Sequence, residues 1–79
     1  MLSLTIISPE KTLFKGEVES VTVPGEMGEF VILNNHAPII STLVAGRVAY
    51  AQNNQDTTFN IKEGFVEVRK NEVNLCVEL

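Results

Sequence analysis

Cysteine, histidine and aspartate each occur once in this chain of 79 residues, and tryptophan does not occur at all. The lone cysteine, Cys76, excludes an internal disulfide and suits a reducing compartment. No cation or helix start stands near it in sequence to favour a thiolate, so it reads as a small packing residue. The glutamates are scattered among strand and turn segments without ligand spacing, so no convergent metal site is expected. Nucleophilic catalysis needs a nucleophile, a base and an orienting group. His36 is the only imidazole; Asp56 is its one possible aspartate partner and Ser41 or Cys76 the nearest choices of nucleophile, but no motif joins them. The glycines of PGEMGE (residues 24–29) precede no Lys-Ser or Lys-Thr pair, so a phosphate-binding loop is absent. The expectation is a chain with no catalytic centre, no cofactor and no metal.

Positive charge is also scarce. Six basic residues face ten acidic ones, a formal charge of −4. That balance disfavours a nucleic-acid module, which needs clustered Lys and Arg, and disfavours direct binding to anionic lipid. No apolar run approaches the roughly 18 residues of a membrane span. The most apolar stretch, residues 37–46, is short and carries Ser41 and Thr42. The start, MLSLTII, lacks the basic residues and cleavage site of a signal peptide. Work at a membrane is therefore expected to pass through another protein.

Helical periodicity is missing as well; the hydrophobic signal has a period of two. Leu2, Leu4 and Ile6 alternate with Ser3 and Thr5, and Phe59 and Ile61 alternate with Thr58 and Asn60. Val66 and Val68 alternate with Phe65 and Glu67, and Val73, Leu75 and Val77 alternate with Asn74, Cys76 and Glu78. Such alternation reads as half-buried strands. Turn signals separate them: Ser8-Pro9-Glu10-Lys11, Pro24-Gly25 as the centre of a type II turn, the polar run Gln52 to Asp56, Glu63-Gly64, and Lys70-Asn71. One all-β domain over residues 1–79, a sandwich or barrel of short strands, is the expected class. A domain this small buries only about 60% of its unfolded surface, so its stability margin is thin.

Two local details follow. Val18 is out of parity with Val21 and Val23, which predicts a β-bulge near Glu19-Ser20. A two-residue loop at Lys70-Asn71 sets Val68 against Val73 and Val66 against Leu75 on the core side, with Arg69 opposite Glu72 outside.

The stretch GEMGEFVILNNHAPIIS (residues 25–41) holds His36 on a loop. Ala37 before Pro38 is pushed toward an extended conformation, which presents a defined tip. A loop on a stiff scaffold suits recognition, although a plain solvated loop fits equally well. Glu29, at the start of the preceding strand, reads as a hydrophilic strand end.

The blocks SPEKTLFKGEVESVTVPGEMGEF, HAPIIS with Gly46 soon after, and GFVEV followed by NEVNL resemble, in this order, the N-terminal β domain of the epsilon subunit of bacterial F-type ATP synthases. The resemblance implies a flattened β-sandwich of about ten strands in two sheets. It also implies a non-catalytic central-stalk subunit that clamps the gamma subunit to the membrane rotor ring and couples proton or sodium flow to ATP synthesis. By position, Glu29 and His36 match the family's ring-facing loops, and Ser8 and Ser41 match positions near the gamma-facing side. The implied location is peripheral, at the cytoplasmic face of the bacterial inner membrane.

The family commonly has Gly where Val31 stands and Pro where Asn34 stands, so this loop is expected to depart locally. Most members also continue into two C-terminal helices. This chain stops at Leu79, which suggests a short form without that hairpin. The main rival is a lipoyl- or biotinyl-type carrier domain with Lys70 at its hairpin tip, but the flanking Arg69 and Asn71 do not match that motif. A hydrolase using His36 is the third reading.

Overall fold

The computed structural model describes residues 1–79, and every element in it is a strand. The nine strands are β1 (Leu2–Ile7), β2 (Thr12–Val18), β3 (Ser20–Gly25), β4 (Gly28–Ile32), β5 (Ile39–Leu43), β6 (Gly46–Gln52), β7 (Gln55–Ile61), β8 (Glu63–Arg69) and β9 (Glu72–Glu78). They form one hydrogen-bonded path, β2-β1-β9-β8-β5-β3-β6-β7, with β4 on the other side of β3. The path is narrow at one place. β5 and β3 share a single register pair, Gly25 with Leu43, supported by Glu26 N–H to Thr42 O (3.1 Å) and Val44 N–H to Pro24 O (2.9 Å). The strands form one continuous sheet, not two separate ones; it curls there, so that β2-β1-β9-β8-β5 and β4-β3-β6-β7 face each other roughly as the layers of a sandwich. Nine strands are resolved, close to the ten or so implied.

The core between the layers follows from strand parity. Leu2, Leu4 and Ile6 of β1, Val66 and Val68 of β8, and Val73, Leu75 and Val77 of β9 are buried together with Val18, Val21, Val23, Ile32, Leu43, Val48 and Ile61. No polar or charged side chain is buried among them. The β8–β9 register is the expected one: Val68 opposes Val73, Val66 opposes Leu75 and Arg69 opposes Glu72. Lys70 (φ 50°) and Asn71 (φ 63°) both take the left-handed conformation that a type I′ turn requires. β1 and β9 pair in parallel, which ties the first strand to the last.

Three turn expectations need correction. Pro24 and Gly25 lie inside β3, opposite Glu29 and Gly28, and the reversal falls at Glu26-Met27. β3 pairs with β6 as far as Thr22 and with β5 at Gly25. Pro24 occupies the gap between the two partners, where its missing N–H leaves no ladder bond unmade. Glu63 and Gly64 belong to β8, and the break before them is at Lys62. The polar run narrows to Asn53-Asn54, both at positive φ (52° and 64°), with Gln52, Gln55 and Asp56 paired in strands.

The parity break after Val18 is real but takes another form. Glu19 lies between strands: β2 ends at Val18 paired with β1, and β3 begins at Ser20 paired with β6. The chain crosses layers at this point, with Glu19 N–H bonded to Ala51 O (2.8 Å). Along that side the layers meet without a ladder. Gln52 Nε2 donates to Glu17 O (2.9 Å), and the Phe14 and Tyr50 rings pack with centroids 4.4 Å apart.

Candidate functional site

β4 pairs with β3 alone, so its outer edge carries unpaired backbone groups. Glu29 is exposed on this strand, and Val31 (47%) and the following Leu33 (56%) are open as well. The chain then turns through Asn34 and Asn35 to His36. Asn35 is left-handed (φ 66°) and His36 N–H closes the turn onto Leu33 O (3.1 Å). His36 Nδ1 lies 2.7 Å from Ala37 O, so in the neutral ring Nδ1 carries the proton and Nε2 the lone pair. The ring sits 6.5 Å from that of Phe30.

Glu29 and His36 thus share one edge strand and its outgoing loop, but they do not touch each other. The imidazole meets backbone and an aromatic ring, not a carboxylate, hydroxyl or thiol. Asp56, on β7, is paired with Ala51 of β6, and Ser41 donates to Thr42 O (3.1 Å), so neither assists His36. No group of three or more His, Cys, Asp or Glu is gathered where a metal could be held. The departure at Asn34 has a visible consequence: its Oδ1 accepts a bond from the Met1 amino group (3.2 Å).

A second surface lies on the outer face of β1, β9, β8 and β5. Register pairs Ile7 with Cys76, Cys76 with Phe65, and Phe65 with Thr42, a row crossing all four strands on one face. Ile40, on the same face of β5, is 73% exposed, and Phe65 is 47% exposed. All four residues of the row, Ile7, Cys76, Phe65 and Thr42, line a concavity of about 440 Å³ that also takes in Ser8 and Pro9. Glu63 and Glu78 stand opposite each other at its margin. Like charges so placed repel.

Ser8 lies in this concavity, its hydroxyl engaged with Lys11 (Oγ to O 3.2 Å) in the turn after β1. Ser41 is half-buried and opposes the buried Val66. It therefore faces inward, and its neighbours Ile40 and Thr42 present β5 to the outside. The exposed apolar residues were not singled out from the sequence. The available signal is the apolar doublet: Ile6-Ile7, Ile39-Ile40 and Phe65-Val66 each break strict alternation, so one member must face out. Lys70 does stand at a hairpin tip.

A family model described as the ATP synthase delta/epsilon chain, beta-sandwich domain, matches residues 1–79. The ATP synthase epsilon chain of Leptospira borgpetersenii is 42% identical over 77 residues, covering 98% of this chain and 61% of the relative. That of Caulobacter vibrioides is 36% identical over 77 residues, covering 98% of this chain and 90% of the relative. The chain thus spans about three-fifths of the Leptospira relative's length. Among solved structures, a chain of the Euglena gracilis mitochondrial ATP synthase (OSCP/F1/c-ring) superposes with a TM-score of 0.91 at 22% identity, over 96% of this chain and 49% of that one. A chain of the Tetrahymena thermophila mitochondrial ATP synthase central stalk and c-ring superposes at 0.85 with 19% identity, over 99% and 63%. At such identities the superpositions speak for the fold. The full-length family match and the bacterial relatives carry the assignment, which the carrier-domain alternative does not share: the chain belongs to the family of ATP synthase delta/epsilon chains and comprises its β-sandwich domain.

Proposed function

We propose that this chain is a non-catalytic subunit of the central stalk of an ATP synthase, joining the gamma subunit to the membrane rotor ring so that ion flow through the ring drives ATP synthesis. The observation that carries the reading is the presence of two unsatisfied surfaces on one hydrogen-bonded body. The apolar face around Ile7, Ile40, Phe65 and Cys76, with Ser8 in its concavity, suits a large protein partner. That partner is gamma. The facing Glu63 and Glu78 favour a Lys or Arg on it, which would relieve their repulsion. Ser41, between Ile40 and Thr42 on β5, belongs to the same gamma-facing region.

The β4 edge and its loop suit the polar loops of the ring subunits. Glu29 can accept from Arg or amide groups there, and His36 Nε2 is free to make one further bond. Attachment at the cytoplasmic face of a bacterial inner membrane then passes through the complex. No helix in the structure is long and apolar enough to cross a membrane.

Co-expression with the gamma subunit of the same enzyme is expected to yield a one-to-one complex. Phe65→Asp places a charge in the apolar face and is expected to weaken gamma binding roughly 30-fold or more, the loss typical of a buried aromatic anchor. Because Phe65 is half-exposed in the free chain, folding should survive. Combined Glu29→Ala and His36→Ala is expected to loosen ring attachment while gamma binding and thermal stability hold. Ring attachment that is unaffected by this pair counts against the β4 edge as the ring-facing surface.

A further inference from the structure

Three segments far apart in sequence converge on Asn71. Its backbone carbonyl accepts from Ser3 N–H (2.8 Å), at the start of β1. Its side-chain Oδ1 accepts from Asn35 N–H (2.6 Å), and its Nδ2 donates to Asn35 Oδ1 (3.3 Å). The bonds to Asn35 run in both directions between the same two residues, 36 positions apart. An amide side chain accepts through its oxygen and donates through its nitrogen at once, whereas a carboxylate accepts only.

The turn alone does not explain the choice of Asn at 71. The second position of a type I′ turn is most often Gly, and Asn is one of several residues that tolerate φ > 0 there. The loop alone does not hold itself either. Residues 33–38 have no ladder partner, and their one internal backbone bond is His36 N–H to Leu33 O. Where the family resemblance leads one to expect a stiff Pro, this chain has Asn34. Asn71 is anchored by the β8–β9 hairpin and by β1, so it has the rigidity the loop lacks.

We propose that Asn71 is a positioning residue: its side chain clasps Asn35 and so fixes the backbone from which the neighbouring His36 projects. The link to partner contact rests on the proposed ring-facing role of His36, whereas the clasp itself does not. With the clasp closed, the imidazole is held by Ala37 O on one side and a fixed Asn35 on the other, and meets its partner already oriented.

Amide hydrogen exchange of the ¹⁵N-labelled chain tests this with two variants. Asn71→Gly keeps the left-handed turn and deletes both side-chain bonds. Asn71→Asp keeps the acceptor for Asn35 N–H. The expected result is that Asn35 N–H exchanges about two- to tenfold faster in Asn71→Gly, the range for loss of one net hydrogen bond, and less so in Asn71→Asp, which keeps the acceptor for that N–H and loses only the Nδ2 bond. The His36 ring signals should shift or broaden in the Gly variant alone. Parent-like Asn35 exchange in Asn71→Gly, or equal acceleration in both variants, overturns the clasp. Sedimentation of the stalk complex with the membrane sector then separates the two ideas. A freed loop with weaker attachment supports both, and a freed loop with unchanged attachment leaves the clasp standing and refutes the ring-facing role of His36.

Discussion

Adding one methyl group at Gly64 tests whether β5, β8 and β9 are as tightly closed as their register implies. Gly64 pairs with Leu43 on β5 and Val77 on β9, so its backbone is held from both sides. A Cβ there would press into the carbonyl oxygen of Cys76 and stand 3.1 Å from Val77 Cα and 3.2 Å from Val77 Cγ1. The first two are backbone atoms of a strand bonded to β8 on one edge and β1 on the other, so they cannot rotate away. Overpacking of this kind costs about 1–3 kcal/mol. Against it, Ala loses less freedom on folding than Gly, which offsets about 0.4–1 kcal/mol. The net expectation is a loss of about 1–2 kcal/mol, or roughly 4–16 °C in Tm for a domain of this size. Gly16→Ala is the control. Its Cβ would meet the tip of the Phe14 ring at 3.1 Å, a side-chain atom that can move, and its φ is ordinary. That variant should fall within about 0.5 kcal/mol of the parent. Urea unfolding followed by far-UV circular dichroism measures both, with the slope m checked for constancy. Gly64→Ala as stable as the parent, or less damaging than Gly16→Ala, would refute the packing argument.

Lys70→Asn is expected to raise stability by several tenths to about 1 kcal/mol, because Lys is strained in the left-handed region. The β6–β7 turn already uses Asn-Asn at nearly the same angles (52° and 64°, against 50° and 63°), and a lower urea midpoint would contradict the comparison. Cys76, half-buried between Ile7 and Phe65, should react slowly with a maleimide in the free chain and more slowly still with gamma bound. Equal rates would place gamma on another surface.

Much of the fold was legible because it is written in neighbouring residues. The β8–β9 register follows from two valines and a leucine of fixed parity around a two-residue turn, and β1 from Leu2, Leu4 and Ile6. The misreadings share a different cause. Pro24 looks like a turn residue locally, and only the change of partner from β6 to β5 explains how a strand holds it. Glu19 signals a parity change, but whether that becomes a bulge or a crossing between layers depends on which strand lies beyond it. Ser41 faces inward on β5, opposite Val66, an orientation set by strand pairing that its sequence neighbours do not announce. The Asn35–Asn71 clasp joins residues that no local pattern connects.

The arrangement of the two surfaces bears on how such a body could transmit rotation. β1 (Leu2–Ile7) is bonded near its start, through Ser3 N–H, to Asn71 beside the His36 loop, and ends at Ile7, next to Ser8 in the concavity. β5 runs in the same direction from Ile39, three residues past His36, to Leu43, with Thr42 on the apolar face. Each strand spans roughly 15–20 Å of extended chain between the loop and the face. Under the proposed role, force between ring and gamma would therefore travel along covalent backbone braced by ladders on both edges of β1, through β2 and β9. It would not have to cross loosely packed side chains. A link of this kind separates coupling from stability. Core substitutions should act by unfolding the domain, whereas changes at Glu29, His36, Ile40 or Phe65 should uncouple it while it remains folded. A variant at these surfaces that lost both properties together would indicate that the surfaces help hold the fold, and that the strands alone do not supply the stiffness.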